Sequence, residues 1–446
     1  MRVGTTSWRK LDLRIKRFGE SLKRSKRRGI LLYPHLKKPD GSTALDDAKV
    51  AECIADSIET QCSHASPPHD PAHISRIKEE VLQKTSLDPR DDLTPVSLSE
   101  VQTLVKSLKT RKAPGLDGIS NKAIKCFSQQ LLSLLVAIFN ACLQNCYFPP
   151  VWKEAEVIGI HKAGKPRDLP ASYRPISLLS GLAKLYERVL KTRLTDPLLG
   201  KGLIIDEQFG FRPVHSCPQQ VLRLVEYATE GFKRKNKTVA VFFDVAKAFD
   251  RVWHAGLVYK LYSLHVPDRL ILIIQNYLSN RYFTFRHERT HSTRRLIRAG
   301  VPQGSALSPL LYSAYTNDIP RPTSGVQLAL FADDTALFYR NRYRDVAASR
   351  FQRAIDELGQ WFRLWRIEVN PEKSAAIQFK YSKRRSKFVV DYDTPTLKML
   401  NARIPWQRSY KYLGVTLDRN LNFRDHIERV RKTCAFLHSK ARSPTR

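Results

Sequence analysis

The sequence predicts an α+β fold. Long segments carry apolar residues at helical spacing, whereas only a few short apolar runs suit buried strands, and those runs meet acidic residues at their ends. Long helices combined with a small number of strands favour the α+β class over a strict alternation of strand and helix. The 446 residues allow two or three domains at roughly 150 residues each.

The first regular region begins near residue 97. Ser97 or Ser99 is expected to cap a helix there, because a serine hydroxyl can accept a hydrogen bond from a free N–H of the first turn. The other elements predicted before residue 200 are, in order, a turn at 112–118, a helix at 123–146, a strand at 156–160, a loop at 170–173 and a helix at 178–199.

Three apolar runs in the second half predict strands: residues 239–243, 328–331 and 335–339. Asp244 follows the first run, and Asp333 and Asp334 lie between the other two, which form a predicted hairpin. Carboxylates at the edge of an apolar sheet are costly unless a cation neutralises them. Mg²⁺ is a suitable cation, and two such ions roughly 4 Å apart can catalyse phosphoryl transfer. The alternative is a turn pair at 333–334 and a helix cap at 244.

The charge of the chain points to a polyanionic partner. Lys and Arg total 76 against 42 Asp and Glu, which gives a net charge of +34. Nucleic acid and an acidic membrane surface are the partner classes that suit such a charge, and a generally basic protein is the alternative. No run approaches the roughly 20 apolar residues that a membrane span needs, so no membrane association is expected.

The first 93 residues differ from the rest and are interpreted as a basic extension followed by a linker. The segment Lys23-Arg-Ser-Lys-Arg-Arg28 is expected to be a nuclear-import signal or a nucleic-acid-binding arm, with a solvated helix face as the alternative. Seven scattered cysteines without Cys-x-x-Cys spacing are typical of reduced thiols in an intracellular protein.

A family resemblance rests on an ordered set of motifs. The acidic motifs are Phe242-Phe-Asp-Val-Ala-Lys-Ala-Phe-Asp-Arg251 and Phe331-Ala-Asp-Asp334, with Gly300-Val-Pro-Gln-Gly-Ser-Ala-Leu-Ser-Pro309 between them. The flanking motifs are Lys112-Ala-Pro-Gly-Leu-Asp-Gly118, Ser172-Tyr-Arg-Pro-Ile-Ser177, Gln208-Phe-Gly-Phe-Arg212, Val369-Asn-Pro-Glu-Lys373 and Tyr412-Leu-Gly-Val415. Over residues 94–427 this set resembles the reverse transcriptases of non-LTR (LINE-type) retrotransposons, most of all jockey-type elements.

The resemblance implies a role for each matching residue. Asp244, Asp333 and Asp334 would hold two Mg²⁺ ions, or Mn²⁺ instead, with the backbone carbonyl of Val245 as a further ligand and Asp334 ranked third. Lys373 would protonate the pyrophosphate leaving group. The residues implied in binding the deoxynucleoside triphosphate are Arg174, Lys162, Phe249, Gln303 and Gly304. Phe249 would exclude the ribose 2′-hydroxyl by a steric clash, and Asp250 would order its motif through hydrogen bonds.

The implied partners are an RNA template, a DNA primer and deoxynucleoside triphosphates; protein partners are not indicated. The basic residues expected to line the template–primer channel are Arg294, Arg295, Lys383, Arg384 and Arg385. Neutralising each phosphate releases counterions, so binding should weaken as salt rises. A nuclear location is expected from the basic cluster and the resemblance, with cytoplasmic association with element RNA as the alternative.

The implied architecture is a right-hand polymerase. Residues 94–235 would form the fingers with early palm helices, 236–420 the antiparallel-sheet palm, and 421–446 only the start of a helical thumb. Because the thumb would be incomplete and no endonuclease domain precedes the polymerase, the chain is expected to be a truncated copy. Two alternatives stay open: a non-catalytic nucleic-acid-binding remnant, and an RNA-dependent RNA polymerase, in which an Asp commonly replaces Phe249.

Overall fold

The computed structural model describes residues 36–442 with gaps at 39, 65–68, 163, 323–324, 342–343, 382–388 and 391–393. The basic cluster at 23–28 therefore lies outside the described residues, as do Lys383, Arg384 and Arg385. Among the residues that are described, no helix combines the length and the apolar character that crossing a bilayer requires.

Helices contain more of the described residues than strands do. They are α1 (Asp47–Gln61), α2 (Pro71–Thr85), α3 (Leu98–Lys106), α4 (Asn121–Ile124), α5 (Gln129–Gln144), α6 (Gly181–Thr195), α7 (Cys217–Lys233), α8 (His254–Ser263), α9 (Asp268–Leu278), α10 (Ser308–Tyr315), α11 (Arg344–Leu364) and α12 (Arg424–Arg442). Ser97 caps α3 as predicted, since its Oγ accepts from the Glu100 N–H at 3.1 Å. The predicted continuous helix at 123–146 is wrong, because Ser128 caps a separate helix.

The strands fall into two larger sheets and several two-stranded pairs. They are β1 (Leu36–Lys37), β2 (Thr43–Ala44), β3 (Glu154–His161), β4 (Tyr173–Leu178), β5 (Lys237–Val245), β6 (Arg281–His287), β7 (Thr290–His291), β8 (Arg295–Ile297), β9 (Gln327–Phe331), β10 (Asp334–Asn341), β11 (Val369–Phe379), β12 (Lys398–Met399), β13 (Ala402–Arg403), β14 (Ser409–Tyr412) and β15 (Val415–Asp418). This mixture of helices and sheets confirms the predicted α+β class.

The first large sheet is antiparallel, with the strand order β11-β5-β10-β9. Successive side chains of β5 enter different cores: Val241 and Phe243 join the main helical core, whereas Ala240 and Phe242 join a core beneath α7. Both faces of β5 are thus covered, which explains why its sequence is a continuous apolar run and not an alternating one. The predicted buried central strand and the predicted hairpin of β9 and β10 are confirmed.

The second large sheet has the order β4-β3-β6-β7, with β8 also paired to β6. Helix α1 packs against it: Ile54 and Ile58 share a core cluster with Val157 and Phe283 of this sheet. Ion pairs join the same surfaces, since the Arg295 guanidinium contacts Glu52 at 2.7 Å, Asp56 at 2.8 Å and Glu59 at 3.6 Å. The first described helix of the extension is therefore packed against the rest of the chain.

One buried cation in α8 yields a stability prediction. Lys260 is 3% exposed; its Nζ donates to the Tyr315 carbonyl at 2.5 Å and to Asp318 Oδ1 at 2.6 Å, and lies 3.7 Å from the ring centre of Trp365. Burial lowers the pKa of Lys260 to about 7, although Asp318 opposes the shift. Because the unfolded lysine keeps its ordinary, higher pKa, the unfolded state binds more protons above pH 7, so stability rises with pH in that window.

Lys260→Met removes this titration. Between pH 7 and pH 9, we expect the free energy of unfolding of the wild type to rise by about 2 kcal/mol more than that of Lys260→Met. Urea unfolding of both proteins at the two pH values measures the difference. Parallel pH dependences for the two proteins would show that Lys260 keeps an ordinary pKa in the folded state.

Candidate active site

The acidic pair lies in the turn between β9 and β10. Ala332 begins this turn with a φ of +58°, a conformation that a residue with a side chain adopts only where its surroundings hold it. The side chain that holds it is Gln208, which is 1% exposed. Its Oε1 accepts from the N–H of Ala332 at 3.0 Å and of Gly210 at 2.8 Å. Gln208 therefore determines the direction in which the acidic turn leaves the sheet.

The segment that carries Gln208 is bound to β9 along its length. The Phe209 N–H donates to the Leu330 carbonyl at 2.9 Å, and the Leu330 N–H donates to the Glu207 carbonyl at 3.0 Å. A side chain at Gly210 would bring its Cβ within 2.2 Å of the Ala332 nitrogen, so this close approach requires glycine. The motif at 208–212 thus supports the acidic turn through backbone contacts.

Asp244 lies at the same edge of the sheet as the acidic pair. Thr335 of β10 is opposite Phe243 of β5, which places Asp334 and Asp244 one position further along their two strands. Adjacent strands are about 4.8 Å apart, so carboxylates far apart in sequence become neighbours. On the other side of β5, Asn370 of β11 is opposite Asp244.

Two carboxylates of this cluster, Asp333 and Asp334, have raised pKa values. Burial raises the pKa of Asp333 above its usual range, and the negative charge of Asp244 adds to the rise, while Arg174 opposes it. The protein around Asp334 removes part of the water from its carboxylate and raises its pKa to about 6, and the charges of Asp333 and Asp244 add to the rise. The side chain nevertheless keeps contact with solvent. Such mutual repulsion is typical of carboxylates that lack a compensating cation.

The carboxylates suit a hard divalent cation, because Mg²⁺ prefers oxygen ligands and commonly uses one or two carboxylates. In the described residues, however, no three His, Cys, Asp or Glu side chains already converge as a group that could hold a metal ion. The oxygen ligands and the negative charge of the carboxylates therefore fit a divalent ion. The side chains would complete its coordination only when the ion binds.

A bulge of β11 lies against the end of β5. The strand register shifts between Asn370 and Ala375, and within the bulge Ser374 Oγ accepts from the Asp244 N–H at 3.1 Å. Lys373 belongs to this bulge and is exposed. Its charge acts on Lys162, on which the charge of Asp250 acts as well. Val245, the predicted backbone ligand, is opposite Val369.

An aromatic group adjoins the acidic turn. The Phe249 ring stacks on Tyr312 with a centroid distance of 4.7 Å and meets Phe211 edge-on at 6.0 Å. The charges of Asp333 and Asp334 reach the Tyr312 hydroxyl, where they add to the effect of burial and raise the pKa of Tyr312 well above its ordinary value. Phe249 therefore lies close to the carboxylates, half-buried, with its orientation fixed by two neighbouring rings.

Asp250 is the next residue, and its contacts confirm that it orders its motif through hydrogen bonds. Gln303 Nε2 donates to its two oxygens at 2.8 and 2.9 Å. The Gln303 carbonyl accepts from the Ser177 N–H at 2.8 Å, and Gly304 has a φ of +124°, where a Cβ would lie 2.6 Å from the Ser177 oxygen. The 300–309 motif thus joins the Asp250 turn to β4.

Residues 160–417 match the family model described as reverse transcriptase (RNA-dependent DNA polymerase). The chain belongs to the reverse transcriptase family. It is 36% identical over 405 residues to the RNA-directed DNA polymerase from mobile element jockey of Drosophila melanogaster, and 38% identical over 341 residues to that of Drosophila funebris. Those alignments cover 89% and 75% of this chain. The resemblance to non-LTR, jockey-type reverse transcriptases is confirmed.

A further Drosophila melanogaster relative, named "Probable RNA-directed DNA polymerase from transposon BS", is 35% identical over 408 residues. That alignment covers 90% of this chain and 44% of the relative, and the jockey alignments cover 43% and 36% of theirs. The chain therefore spans less than half the length of the curated relatives that it matches.

Two of the predicted phosphate-binding residues, Arg174 and Lys162, are on β4 and just after β3, which pairs with it. Arg174 is exposed on β4, and its charge acts on both Asp333 and Lys162. Lys162 is half-buried, and its Nζ donates to the Ala171 carbonyl at 2.8 Å. The charge of Arg174 thus reaches the acidic turn, and the nucleotide-binding role of both cations stays a prediction.

Of the predicted template–primer residues, the structure describes Arg294 and Arg295, and both pair with carboxylates. Arg294 forms an ion pair with Glu154 and lies 3.6 Å above the ring centre of Tyr282. Arg295 is neutralised by the acidic face of α1. These contacts reduce the charge that either side chain offers to a phosphate, so their predicted role stays a prediction with little support from the structure.

Several residues at the site were not singled out by the sequence. Gln208 was part of a motif without an assigned role, and neither Gln61 nor Tyr312 stood out. Gln61 Nε2 donates to Asp250 Oδ2 at 2.6 Å. Glutamines on helices and in loops are usually solvated, so only the folded arrangement distinguishes Gln61 and Gln208 from the others.

Proposed function

We propose that this chain catalyses RNA-templated DNA synthesis, by two-metal nucleotidyl transfer onto the 3′-hydroxyl of a primer. The observation that carries the proposal is the strand register that makes Asp244 and Asp334 neighbours beside Asp333. Phosphoryl transfer needs little from a protein beyond positioning and charge compensation. The strand register positions the carboxylates, which can hold a cation, and the charge of the exposed Arg174 acts on Asp333, so the site has the properties required for both.

Divalent ions would be held by Asp244 and Asp333, with Asp334 and the Val245 carbonyl as secondary ligands. Bound Mg²⁺ would supply Lewis-acid stabilisation of the developing phosphate charge. On the protein side, Gln208 holds the turn that presents Asp333, and Ser374 fixes the backbone of Asp244. Arg174 and Lys162 would bind the triphosphate, and Lys373 would protonate the leaving pyrophosphate.

The proposed architecture is the right-hand polymerase. The β11-β5-β10-β9 sheet would be the palm, much of residues 94–235 the fingers, and α12 the start of the thumb. An RNA template, a DNA primer and deoxynucleoside triphosphates are the proposed partners, and a nuclear location is proposed for the chain.

The test is primer extension on an RNA template with Mg²⁺, comparing the wild type with Asp333→Asn. If the chain is a polymerase, the wild type extends the primer when Mg²⁺ is present. Asp333→Asn does not extend it, and neither does the wild type without Mg²⁺. The second candidate, a nucleic-acid-binding remnant, rests on the net charge of +34. It is favoured if both proteins retain the template–primer equally well and neither extends it.

Phe249 leads to a prediction on sugar selection. The ring is held by Tyr312, so it presents a fixed wall next to the carboxylates. A fixed ring would clash with a ribose 2′-hydroxyl, and we expect Phe249→Val to lower the preference for deoxynucleotides over ribonucleotides by about 10- to 100-fold. The measurement is the ratio of kcat/KM for the two nucleotide types.

The control is Phe232→Val. Phe232 packs against the core beneath α7, whereas Phe249 packs against the main core on the other face of the β11-β5-β10-β9 sheet. This variant should keep the wild-type ratio. A wild type that already ignores the sugar would exclude the gate and would favour an RNA-dependent RNA polymerase.

A further inference from the structure

The end of helix α1 reaches the interior of the site. Gln61 is the last residue of α1 and is 4% exposed, and its Nε2 donates to Asp250 Oδ2 at 2.6 Å. Asp250 is 5% exposed, and Gln303 donates to the same carboxylate from the 300–309 motif. A buried carboxylate therefore receives side-chain amides from two segments, one of which lies outside residues 160–417.

The residue after Gln61 strengthens the connection. The Cys62 carbonyl accepts from the N–H of Arg298 at 3.2 Å and of Ala299 at 2.9 Å. Residues 298–299 lead directly into the Gln303 motif. The C-terminal end of α1 is thus attached both to the side chain of Asp250 and to the backbone of the segment that carries Gln303.

The Asp250 turn controls the placement of the predicted sugar gate. The Phe249 carbonyl accepts from the Val301 N–H at 2.7 Å, and the Val252 carbonyl accepts from the Gly300 N–H at 2.8 Å. Gln303 also binds Ser177 of β4, the strand of Arg174. A shift of the Asp250 carboxylate would therefore move the gate, the Gln303 loop and the triphosphate side of the site together.

We infer that Gln61 is a positioning residue for nucleotide selection: by holding Asp250 against Gln303, it sets the position of Phe249 relative to the incoming sugar. The inference rests on the proposed polymerase function. It assigns to the N-terminal helix a part of the nucleotide site, in addition to its packing against the second sheet. Gln61 itself would act through Asp250 and Phe249 without touching the nucleotide.

The test compares Gln61→Leu with the wild type in single-nucleotide primer extension. We expect KM for the deoxynucleotide to rise about tenfold and the preference for deoxynucleotides over ribonucleotides to fall, with kcat nearly unchanged. The matched control is Gln144→Leu, the same change at the exposed last residue of α5, which should leave all three quantities at wild-type values. A purely structural role for Gln61 would lower the melting temperature without this split between KM and kcat.

An exchange of groups tests the contact itself. Gln61→Glu places a second carboxylate against Asp250 and should be more harmful than Gln61→Leu, because like charges repel. Combining Gln61→Glu with Asp250→Asn exchanges the two groups. The amide nitrogen at position 250 can then donate to the carboxylate at position 61, and the amide oxygen at position 250 can accept from Gln303. The double variant should recover both the low KM and the sugar preference, and it carries the test if Gln61→Leu does not fold.

The outcomes separate the two proposals. A wild type that extends no primer overturns the polymerase function, and the inference fails with it. An active wild type whose KM and sugar preference are unchanged in Gln61→Leu overturns the inference alone. So does a double variant that is no better than Gln61→Glu.

Discussion

Replacing Asp333 with asparagine is expected to reduce primer extension at least about a thousandfold, because the loss of one metal-binding carboxylate removes several kcal/mol of charge stabilisation from the reaction. The same change should not destabilise the fold. Burial and the charge of Asp244 raise the pKa of Asp333, so the ionised side chain is unfavourable in the metal-free protein. A neutral amide of similar shape relieves that cost, and we expect an equal or higher melting temperature.

The measurements are primer extension at saturating Mg²⁺ and thermal unfolding without metal. Asp206→Asn is the control: this side chain is 99% exposed and should change neither quantity. Asp334→Asn should reduce extension less than Asp333→Asn, as its carboxylate is exposed and ranks third among the predicted ligands. Activity of Asp333→Asn close to that of the wild type would remove Asp333 from the metal site.

The parts of this site that could be predicted from sequence are those whose signal is local. Strand β5 and the hairpin of β9 and β10 are short apolar runs, and their burial on both faces makes the runs continuous. The carboxylates that end these strands follow directly from the same pattern. Local periodicity was sufficient because each of these strands is specified by its own residues.

The rest could not be predicted because it depends on contacts between distant segments. Gln61 and Asp250 are 189 positions apart, and nothing near Gln61 distinguishes it from a solvated residue at a helix end. Arg295 was expected to face nucleic acid because basic residues beside a motif suggest a phosphate contact. Its actual partners are on α1, whose acidic face could be matched to it only once α1 was known to pack against the second sheet.

The break in the predicted helix at 123–146 has a different cause. The Leu131 N–H donates to Ser128 Oγ at 3.4 Å, and this cap starts a new helix within an apolar stretch. Apolar periodicity continues through residues 124–135 on both sides of the break, so the pattern alone does not reveal it. Serine in a helix interior competes for backbone hydrogen bonds, which is the physical signal that favoured two helices.

Gln208→Leu is expected to lower both stability and primer extension. Leucine leaves the N–H groups of Ala332 and Gly210 buried without an acceptor, which costs roughly 1–3 kcal/mol for a buried group. The turn would then lose the contact that holds Ala332 at positive φ, and Asp333 would move with it. Displacing a catalytic group by about 1 Å can reduce a rate about 100-fold, and we expect a loss of that order.

Gln220→Leu separates stability from positioning. Gln220 is also fully buried, and its Nε2 donates to the Leu330 carbonyl at 2.9 Å and to the Glu207 carbonyl at 3.2 Å. These hydrogen bonds go to β9 and to the segment beside it, whereas those of Gln208 go to the Ala332 turn and to Gly210. In Gln220→Leu both carbonyls keep a backbone donor, so we expect urea unfolding to show a smaller loss of stability than for Gln208→Leu. Primer extension measured well below the two melting temperatures should fall sharply only for Gln208→Leu.

Ala332→Gly provides the complementary change, because glycine adopts positive φ without the cost that a side chain imposes. In the Gln208→Leu background it should restore part of the lost stability, as the turn no longer needs an external contact to hold its backbone. It should restore little activity, because a flexible glycine does not fix the direction of Asp333. If stability and primer extension both recover, the role of Gln208 is only to relieve backbone strain at Ala332. If stability alone recovers, Gln208 orients the acidic turn.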